Sequence, residues 1–155
     1  ALKRLVEEIQ YCERCFHFSD HALCSVCSNP RRQHETVCVV ADPRDLMAIE
    51  QTGRYTGVYH VLGGLIAPLE GVQPEQLRIE ELMARVEAGA VKEVVLALNS
   101  THEGETTAFY LSRRLSNTPV TLSTLARGVA VGAELEYADE LTLGRSIADR
   151  VPFKG

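Results

Sequence analysis

Four of the five cysteines stand as two C-x-x-C pairs, a spacing typical of a structural metal site. The pairs are Cys12 with Cys15 and Cys24 with Cys27. Their thiolates can give four soft ligands to a tetrahedral Zn²⁺, and a shell of four protein ligands leaves no position for water or a substrate. The alternative, two disulfides in a secreted protein, is disfavoured because no signal peptide is recognisable and Cys38 would stay unpaired. The spacing therefore predicts a zinc ion that stabilises the fold and takes no part in catalysis.

A second set of side chains that could do chemistry is acidic. Asp42 and Asp45 follow one apolar run of the sequence, and Glu103 and Glu105 follow another. If both runs are strands of a parallel sheet, these acids follow the carboxyl ends, where open α/β sheets place their working surface. The sequence therefore points to the two acidic segments as the place to look for function.

Apolar runs that alternate with helical patterns must position these side chains. We predict strands at 36–40, 57–62, 91–98 and 120–125. The third of these is the most apolar and is expected to be central. Helices are predicted at 79–87, 106–115 and 139–149, and a further one begins at Asp42 and Pro43 and stops at Gly53. Strands separated by helices indicate an α/β fold, in which a small four-Cys zinc finger precedes a mostly parallel sheet flanked by helices.

The composition is that of an ordinary globular protein, but its charge is uneven. Of 155 residues, 45% are hydrophobic and 24% are charged, and the net charge is −5. Residues 1–34 hold five Lys and Arg against four Asp and Glu, whereas residues 35–155 hold eleven against seventeen. An acidic main body suits a basic protein partner better than nucleic acid alone. With no run near the roughly 20 apolar residues that cross a bilayer, the expected location is cytoplasmic.

The basic residues near the cysteines are the candidates for contact with DNA. Arg31 and Arg32, together with Lys3, Arg4 and Arg14, form the basic cluster of this region. Each could contact a phosphate and add salt-dependent affinity, and scattered surface charge is the other interpretation. Interleaved aromatic residues for base stacking are lacking, since the chain has no Trp.

The remaining candidate residues have simpler interpretations. Cys38 lies within an apolar run and is expected in the core. His17 and His21 lie between the cysteine pairs and are expected in a polar turn, because four thiolates already complete a zinc shell. No G-x-x-x-x-G-K-[ST] motif occurs, so nucleotide hydrolysis is not supported.

Five sequence blocks follow the cysteines in order. They are Val-Val-Ala-Asp-Pro-Arg-Asp at 39–45, Ile-Glu-Gln-Thr-Gly at 49–53, Tyr-His-Val-Leu-Gly-Gly at 59–64, Asn-Ser-Thr-His-Glu-Gly-Glu-Thr-Thr-Ala at 99–108 and Ala-Arg-Gly-Val-Ala-Val-Gly-Ala-Glu-Leu-Glu-Tyr-Ala-Asp at 126–139. Together with the cysteine spacing, these blocks resemble the RecR family of bacterial recombination mediators over essentially the whole chain. Any one block alone would be weak evidence.

The resemblance implies an N-terminal helix and zinc finger at 1–34, a Toprim domain at 35–125, and a C-terminal segment with subunit contacts at 126–155. It implies a role in the RecF–RecO–RecR pathway of DNA repair, with RecO, RecF and single- and double-stranded DNA as partners. Family members form dimers or tetrameric rings that encircle DNA and help to load recombinase onto single strands. They also carry an N-terminal helix-hairpin-helix that has no room before Cys12, so weaker DNA binding is expected.

The resemblance also allows a prediction of whether this chain is an enzyme. Toprim enzymes need a Glu after the first strand and a D-x-D after the third, and these carboxylates hold Mg²⁺. This chain has Ala41 at the first position and Asn99-Ser100-Thr101 in place of D-x-D. We therefore expect no enzymatic activity, and a metal-dependent nuclease or primase-like enzyme is the alternative. A structural zinc domain without activity of its own is a third interpretation.

The family resemblance also implies a role for the acidic residues. Asp42, Asp45, Glu103 and Glu105 are expected to bind a basic RecO partner, since charged surfaces set the association rate and specificity of docking. The simpler interpretation is a solvated helix start, where carboxylates favour the positive end of the helix dipole.

Overall fold

The computed structural model describes residues 10–125 and 140–153. Its strands are β1 (Gln10–Tyr11), β2 (Phe18–Ser19), β3 (Gln33–Val40), β4 (Gly57–Val61), β5 (Glu93–Leu96), β6 (Thr121–Thr124) and β7 (Val151–Pro152). Its helices are α1 (Pro43–Gln51), α2 (Ile79–Glu87), α3 (His102–Arg114) and α4 (Glu140–Ala148). The helix predicted before Cys12, Lys3 and Arg4, and the block at 126–139 lie outside the described residues.

The sheet confirms the α/β class predicted from the sequence. Five strands lie in the order β4-β3-β5-β6-β7, in which β3 to β6 are parallel and β7 runs antiparallel to β6. The most apolar predicted strand, 91–98, is central, as predicted. Only Glu93–Leu96 of this run, strand β5, pair with the neighbouring strands. Strand β7 had no prediction, because two residues carry no periodic signal.

Alternating side chains along β3 divide the interior into two cores. Val37 and Val39 point into the core that is shared with α2 and α3. Cys38 and Val40 point to the opposite face, which packs against α1, α4 and the four cysteines of residues 10–32, the cysteine segment. Cys38 is fully buried, as expected of a core residue, and burial raises the pKa of its thiol. The cysteine segment therefore shares a hydrophobic core with the sheet.

The helix boundaries show which helix ends the local sequence predicted correctly. Helix α1 begins as predicted, with the Asp42 side chain accepting a hydrogen bond from Arg44 N, and Pro43 in the first turn. Helix α2 coincides with its prediction at both ends. Helix α3 begins at His102, four residues before the predicted start, which was therefore wrong. Among the described residues, no helix is long and apolar enough to cross a membrane.

Strand β4 is an edge strand of the sheet, and the cysteine segment lies along it. Val61 N donates to Cys15 O at 2.7 Å, and Arg85 Nη1 donates to Tyr59 O at 2.7 Å. The backbone N–H and C=O groups of alternate residues in a strand point to the same side. Those of Tyr59 and Val61 therefore point away from β3 and are not paired with it. Unpaired edges invite pairing with other chains, and here the cysteine segment and α2 occupy this edge.

At the other side of the sheet, a charged contact attaches the C-terminal strand. Arg150 donates to Glu93 from Nε at 2.7 Å and from Nη2 at 3.0 Å, and Ser123 Oγ donates to Glu93 at 2.6 Å. The hydrogen bond from Arg150 lowers the pKa of the Glu93 carboxyl, while partial burial opposes this shift. The ionised form of Glu93 is thus held by donors from β6 and from the residue before β7.

We expect Glu93→Gln to lower the free energy of unfolding by about 1–2 kcal/mol at pH 7, because the charge-assisted bonds to Arg150 are lost. The folded-state pKa of Glu93 lies below the unfolded-state pKa. The stabilisation is therefore present above the unfolded pKa and is lost as the pH falls through the folded one. Urea unfolding at pH 7 and across the acid range should show the difference between wild type and variant shrinking below about pH 4.

The control for this prediction is Glu80→Gln, which removes a carboxylate that pairs with Arg114 at the exposed surface. Exposed pairs contribute little, so this variant should unfold almost as the wild type does. A difference for Glu93→Gln that does not depend on pH, or one no larger than that of the control, would contradict the assignment.

Candidate functional site

The four cysteines of the two C-x-x-C pairs converge on one point. Their sulfur atoms all lie within 4.8 Å of one another, and all four side chains are buried. Cys15 Sγ and Cys24 Sγ are 3.6 Å apart. A disulfide would need about 2.05 Å, whereas sulfurs at the corners of a zinc tetrahedron are about 3.8 Å apart. All five cysteines are unbridged, so the two-disulfide alternative is not what the chain forms.

Tight turns bring the sulfur atoms together and point backbone N–H groups at them. Phe16 N donates to Cys12 O at 3.0 Å, with Phe16 in the left-handed region at φ 67°, and Ser28 N donates to Cys24 O at 3.0 Å. Arg14 N and Cys24 N each lie 3.4 Å from Cys12 Sγ, and Cys27 N lies 3.4 Å from Cys24 Sγ. Hydrogen bonds of this kind favour thiolates over thiols.

The proximity of the sulfurs also shows why a cation fits between them. Hydrogen bonds from the Cys15 and Cys27 thiols lower the pKa of Cys24, and the same contact with Cys24 raises the pKa of Cys15. Four thiolates at these separations would repel one another. A divalent cation at the centre would offset this repulsion.

Of the two arginines proposed to contact DNA, one is engaged within the protein. Arg32 Nη1 donates to Tyr55 O at 3.0 Å and to Gly57 O at 3.2 Å, and its Nη2 pairs with Glu50. Arg32 therefore joins the cysteine segment to α1 and to the start of β4. Arg31 is exposed, so a phosphate could reach it.

At the carboxyl ends of β3 and β5, the structure brings three of the four predicted acids to one cleft. Asp42, Asp45 and Glu103 line it, and Arg44 and Glu70 also contribute. Partial burial raises the pKa of Asp42, but hydrogen bonds from Arg44 outweigh burial and lower it overall. Asp45 is buried, whereas Glu103 is half-buried. The cleft therefore brings four carboxyl groups and one guanidinium together.

Glu105 lies apart from this group. It lines a neighbouring cleft with Asn99, Ser100 and Phe109, while Glu103 lines the cleft that contains Asp42. Residues two apart on a helix point in different directions, and both glutamates belong to the first turn of α3. Both glutamates were expected to bind the same partner, and the structure places them in different clefts.

Gly104 is in fact required inside the helix. Thr101 caps α3 by accepting from Gly104 N at 3.1 Å, and a Cβ at Gly104 would lie only 1.9 Å from Asn99 O. The glycine thus allows the helix start to approach the end of β5. A close approach of this kind cannot be read from local sequence, where an isolated glycine indicates a break.

The sequence also missed Arg85 and Glu70, which have no recognisable motif. Arg85 lies 71 residues from Arg14, the residue whose carbonyl it approaches, so no local spacing could reveal the contact. Glu70 lines the acidic cleft and lies in the turn at Pro68–Glu70.

In the two described ranges, only the cysteine group places three or more His, Cys, Asp or Glu side chains close enough to share one metal ion.

A closed four-thiol cluster packed on the edge of a mostly parallel sheet defines a zinc finger joined to a Toprim domain. The family model of the four-cysteine zinc finger domain of RecR matches residues 9–29, that of the Toprim domain matches 35–126, and that of the RecR C-terminal region matches 128–151. The cluster and the zinc-finger match both identify zinc as the metal of this site.

Curated relatives extend the match over the whole chain. The recombination protein RecR of Flavobacterium johnsoniae is 54% identical over 154 residues, which are 99% of this chain and 75% of the relative. RecR of Phocaeicola vulgatus is 54% identical over 155 residues, covering 100% and 76%, and RecR of Porphyromonas gingivalis is 52% identical over 153 residues, covering 99% and 74%. The chain belongs to the RecR family.

We expect Cys12→Ser to lose the bound zinc and to unfold at a lower temperature, because structural zinc supplies free energy of folding. The measurement is the zinc content of the purified protein by mass spectrometry, together with its thermal unfolding with and without a chelator. Wild type should hold one zinc ion per chain.

The matched control is Cys38→Ala, which removes the cysteine that lies outside the cluster. It should lose stability through its cavity and yet retain zinc. Full zinc content in Cys12→Ser, or zinc loss in Cys38→Ala, would contradict the assignment.

Proposed function

We propose that this chain is a recombination and repair mediator in which a structural zinc finger supports an acidic docking surface for RecO. The proposed zinc ligands are the thiolates of Cys12, Cys15, Cys24 and Cys27. The observation that carries the proposal is the convergence of Asp42, Asp45 and Glu103 on one cleft at the carboxyl edge of the sheet. The family membership of the chain gives this cleft its context.

The charges of the cleft suit a basic partner. Asp42 carries its own cation, since Arg44 Nε lies 3.1 Å from its carboxylate, so an incoming basic group must compete with Arg44. Glu103 is half-buried on the first turn of α3 and is the carboxylate best placed to receive a Lys or Arg. Asp45 is buried, so a partner's side chain has less access to it than to Glu103. Such surfaces govern the association rate and the choice of partner.

Glu105 has a different part in this proposal. Because it lines the neighbouring cleft, it would meet a partner only if the partner's surface extends past Asn99 toward Phe109. Glu103 and Glu105 can thus be separated by experiment, although they stand two residues apart in the sequence.

The proposal also includes contact with DNA, and the geometry favours one of the two candidate arginines over the other. Arg31 is exposed beside the zinc finger, and Arg32 has internal partners, so Arg31 is the stronger candidate for a phosphate contact. Assembly into a dimer or a ring, and contact with RecF, are proposed by analogy with the family. The location proposed for these partners and for this chain is the cytoplasm.

The rival proposal is a metal-dependent Toprim enzyme. Ala41 follows β3, and Asn99 follows β5 after two further apolar residues, so the positions of the Toprim metal ligands carry no carboxylate, although Asp42 and Glu103 line the same cleft. Mg²⁺ would need carboxylates that converge on one point, and the described acids form no such group of three. This arrangement supports the mediator over the enzyme.

We expect Glu103→Gln to slow association with purified RecO by about fivefold to tenfold at low salt, because a half-buried charge of the cleft is lost. Glu105→Gln should have a smaller effect, since Glu105 faces the other cleft. The measurement is stopped-flow or surface-plasmon kinetics at two salt concentrations, and the difference between wild type and Glu103→Gln should shrink at the higher one.

The matched control is Glu87→Gln, which removes an exposed carboxylate at the far end of α2. Wild-type association by Glu103→Gln, or an equal loss in Glu87→Gln, would overturn the docking surface. The same protein should be assayed with Mg²⁺ for cleavage or synthesis of DNA. Activity that persists through repurification would overturn the mediator in favour of the enzyme.

A further inference from the structure

Arg85 reaches from α2 to the zinc finger, although the two are far apart in the sequence. Its Nη1 donates to Tyr59 O of the edge strand at 2.7 Å and approaches Arg14 O at 3.4 Å. Arg14 stands between Cys12 and Cys15, and its own Nη1 lies 3.5 Å from Cys27 O. Two guanidinium groups, one from the helix and one from the finger, therefore contact backbone carbonyls beside the cysteine cluster.

Within the described part of the chain, neither guanidinium forms an ion pair with a carboxylate, although Glu13 and Glu81 line the same cleft as the two arginines. Among residues 10–125 and 140–153, no Asp or Glu side chain forms an ion pair with Arg85 or Arg14. Burial lowers the pKa of Arg85 overall, and attraction to the sulfurs of Cys27, Cys15 and Cys12 opposes this shift. The acidic groups around Arg85 are thus the sulfurs of the cluster and the carboxylates of Glu13 and Glu81, of which Glu81 pairs with Arg78.

A zinc ion does not neutralise the cluster by itself. Four thiolates and one Zn²⁺ carry a net charge of about −2, and a buried net charge is costly unless other charges or hydrogen bonds offset it. The backbone N–H groups of Arg14 and Cys24 offset part of it at Cys12 Sγ. A guanidinium is always protonated and is only weakly hydrated, so it suits this environment better than an ammonium group.

We propose that Arg85 is the counter-charge of the zinc–thiolate cluster, a positioning residue on the Toprim body that offsets the net negative charge and thereby helps to retain zinc. The inference rests on the zinc site proposed above. It makes the affinity of the finger for zinc depend on a side chain of the neighbouring domain.

Arg78 provides a matched comparison. It precedes α2, its guanidinium lies 4.3 Å from the centre of the Phe16 ring, and it pairs with Glu81 at 3.5 Å. Arg78 therefore packs against the same finger, but it has a carboxylate of its own. Loss of Arg78 removes packing from the finger, whereas loss of Arg85 removes both a hydrogen bond to the edge strand and a positive charge beside the thiolates.

The experiment compares Arg85→Gln, Arg85→Lys and Arg78→Gln in the whole zinc-loaded chain. Zinc affinity is measured by competition with a chromophoric chelator, after the zinc content of each protein has been determined. We expect Arg85→Gln to weaken zinc binding by about 10–100-fold, the usual effect of removing a group that supports metal ligands. Arg85→Lys should retain much of the affinity because it keeps the charge, and Arg78→Gln should stay near wild type.

A spectroscopic readout separates charge from packing. With Co²⁺ in place of zinc, the thiolate-to-cobalt charge-transfer band of Arg85→Gln should move to lower energy, because the positive charge that stabilised the thiolate electrons is gone. Arg78→Gln should leave the band in place. Arg85→Lys tests the charge in a variant that keeps a cation, in case Arg85→Gln fails to fold.

The outcomes separate this inference from the zinc site itself. Wild-type affinity and an unmoved band in Arg85→Gln would overturn the role of Arg85 alone. Equal losses in Arg85→Gln and Arg78→Gln, or a loss in Arg85→Lys as large as that in Arg85→Gln, would reduce Arg85 to a packing residue and also overturn it. A wild-type protein that binds no zinc would overturn the zinc site and this inference together.

Discussion

The cysteine cluster lies against the open edge of the parallel sheet, and the two cannot be described as separate units. Cys15 O accepts a hydrogen bond from Val61 N, a backbone group that β3 leaves unpaired. The four cysteines also share a core with Tyr59 and Ile49, so the metal site, the edge strand and α1 exclude water together. A zinc ion that orders the turns of the finger thereby supports the edge of the neighbouring domain, and many other contacts depend on that edge.

Helix α1 connects this scaffold to the acidic cleft. Near its C-terminal end, Glu50 pairs with Arg32 and accepts from Tyr59 Oη at 2.7 Å, which joins the helix to the zinc finger and to β4. At its N-terminal end, Asp42 and Asp45 line the cleft. The proposed docking charges and the structural metal thus lie at opposite ends of one short helix. A partner that binds the cleft would thus contact one end of a helix whose other end pairs with Arg32 and Tyr59.

The sequence predicted the features that local spacing encodes. Two C-x-x-C pairs, the cap at Asp42 and the apolar run of β5 each carry a signal within a few residues, and the structure contains all three. The early start of α3 was missed because Gly104 indicates a break unless its close approach to Asn99 is known. The contacts of Arg85 and Arg32 were missed because their partners lie far away in the sequence. These partners come together only through tertiary packing, which the periodicity of the sequence does not reveal.

Amide hydrogen exchange at Val61, followed by NMR with and without zinc, is the most direct test that the metal site holds the edge strand. The hydrogen bond from Val61 N to Cys15 O should protect this amide in the zinc-bound protein. After chelation, protection at Val61 should fall sharply, whereas the amide of Ala97, which donates to Val39 O in the central part of the sheet, should stay protected. Protection at Val61 that is unchanged by zinc removal would contradict the account.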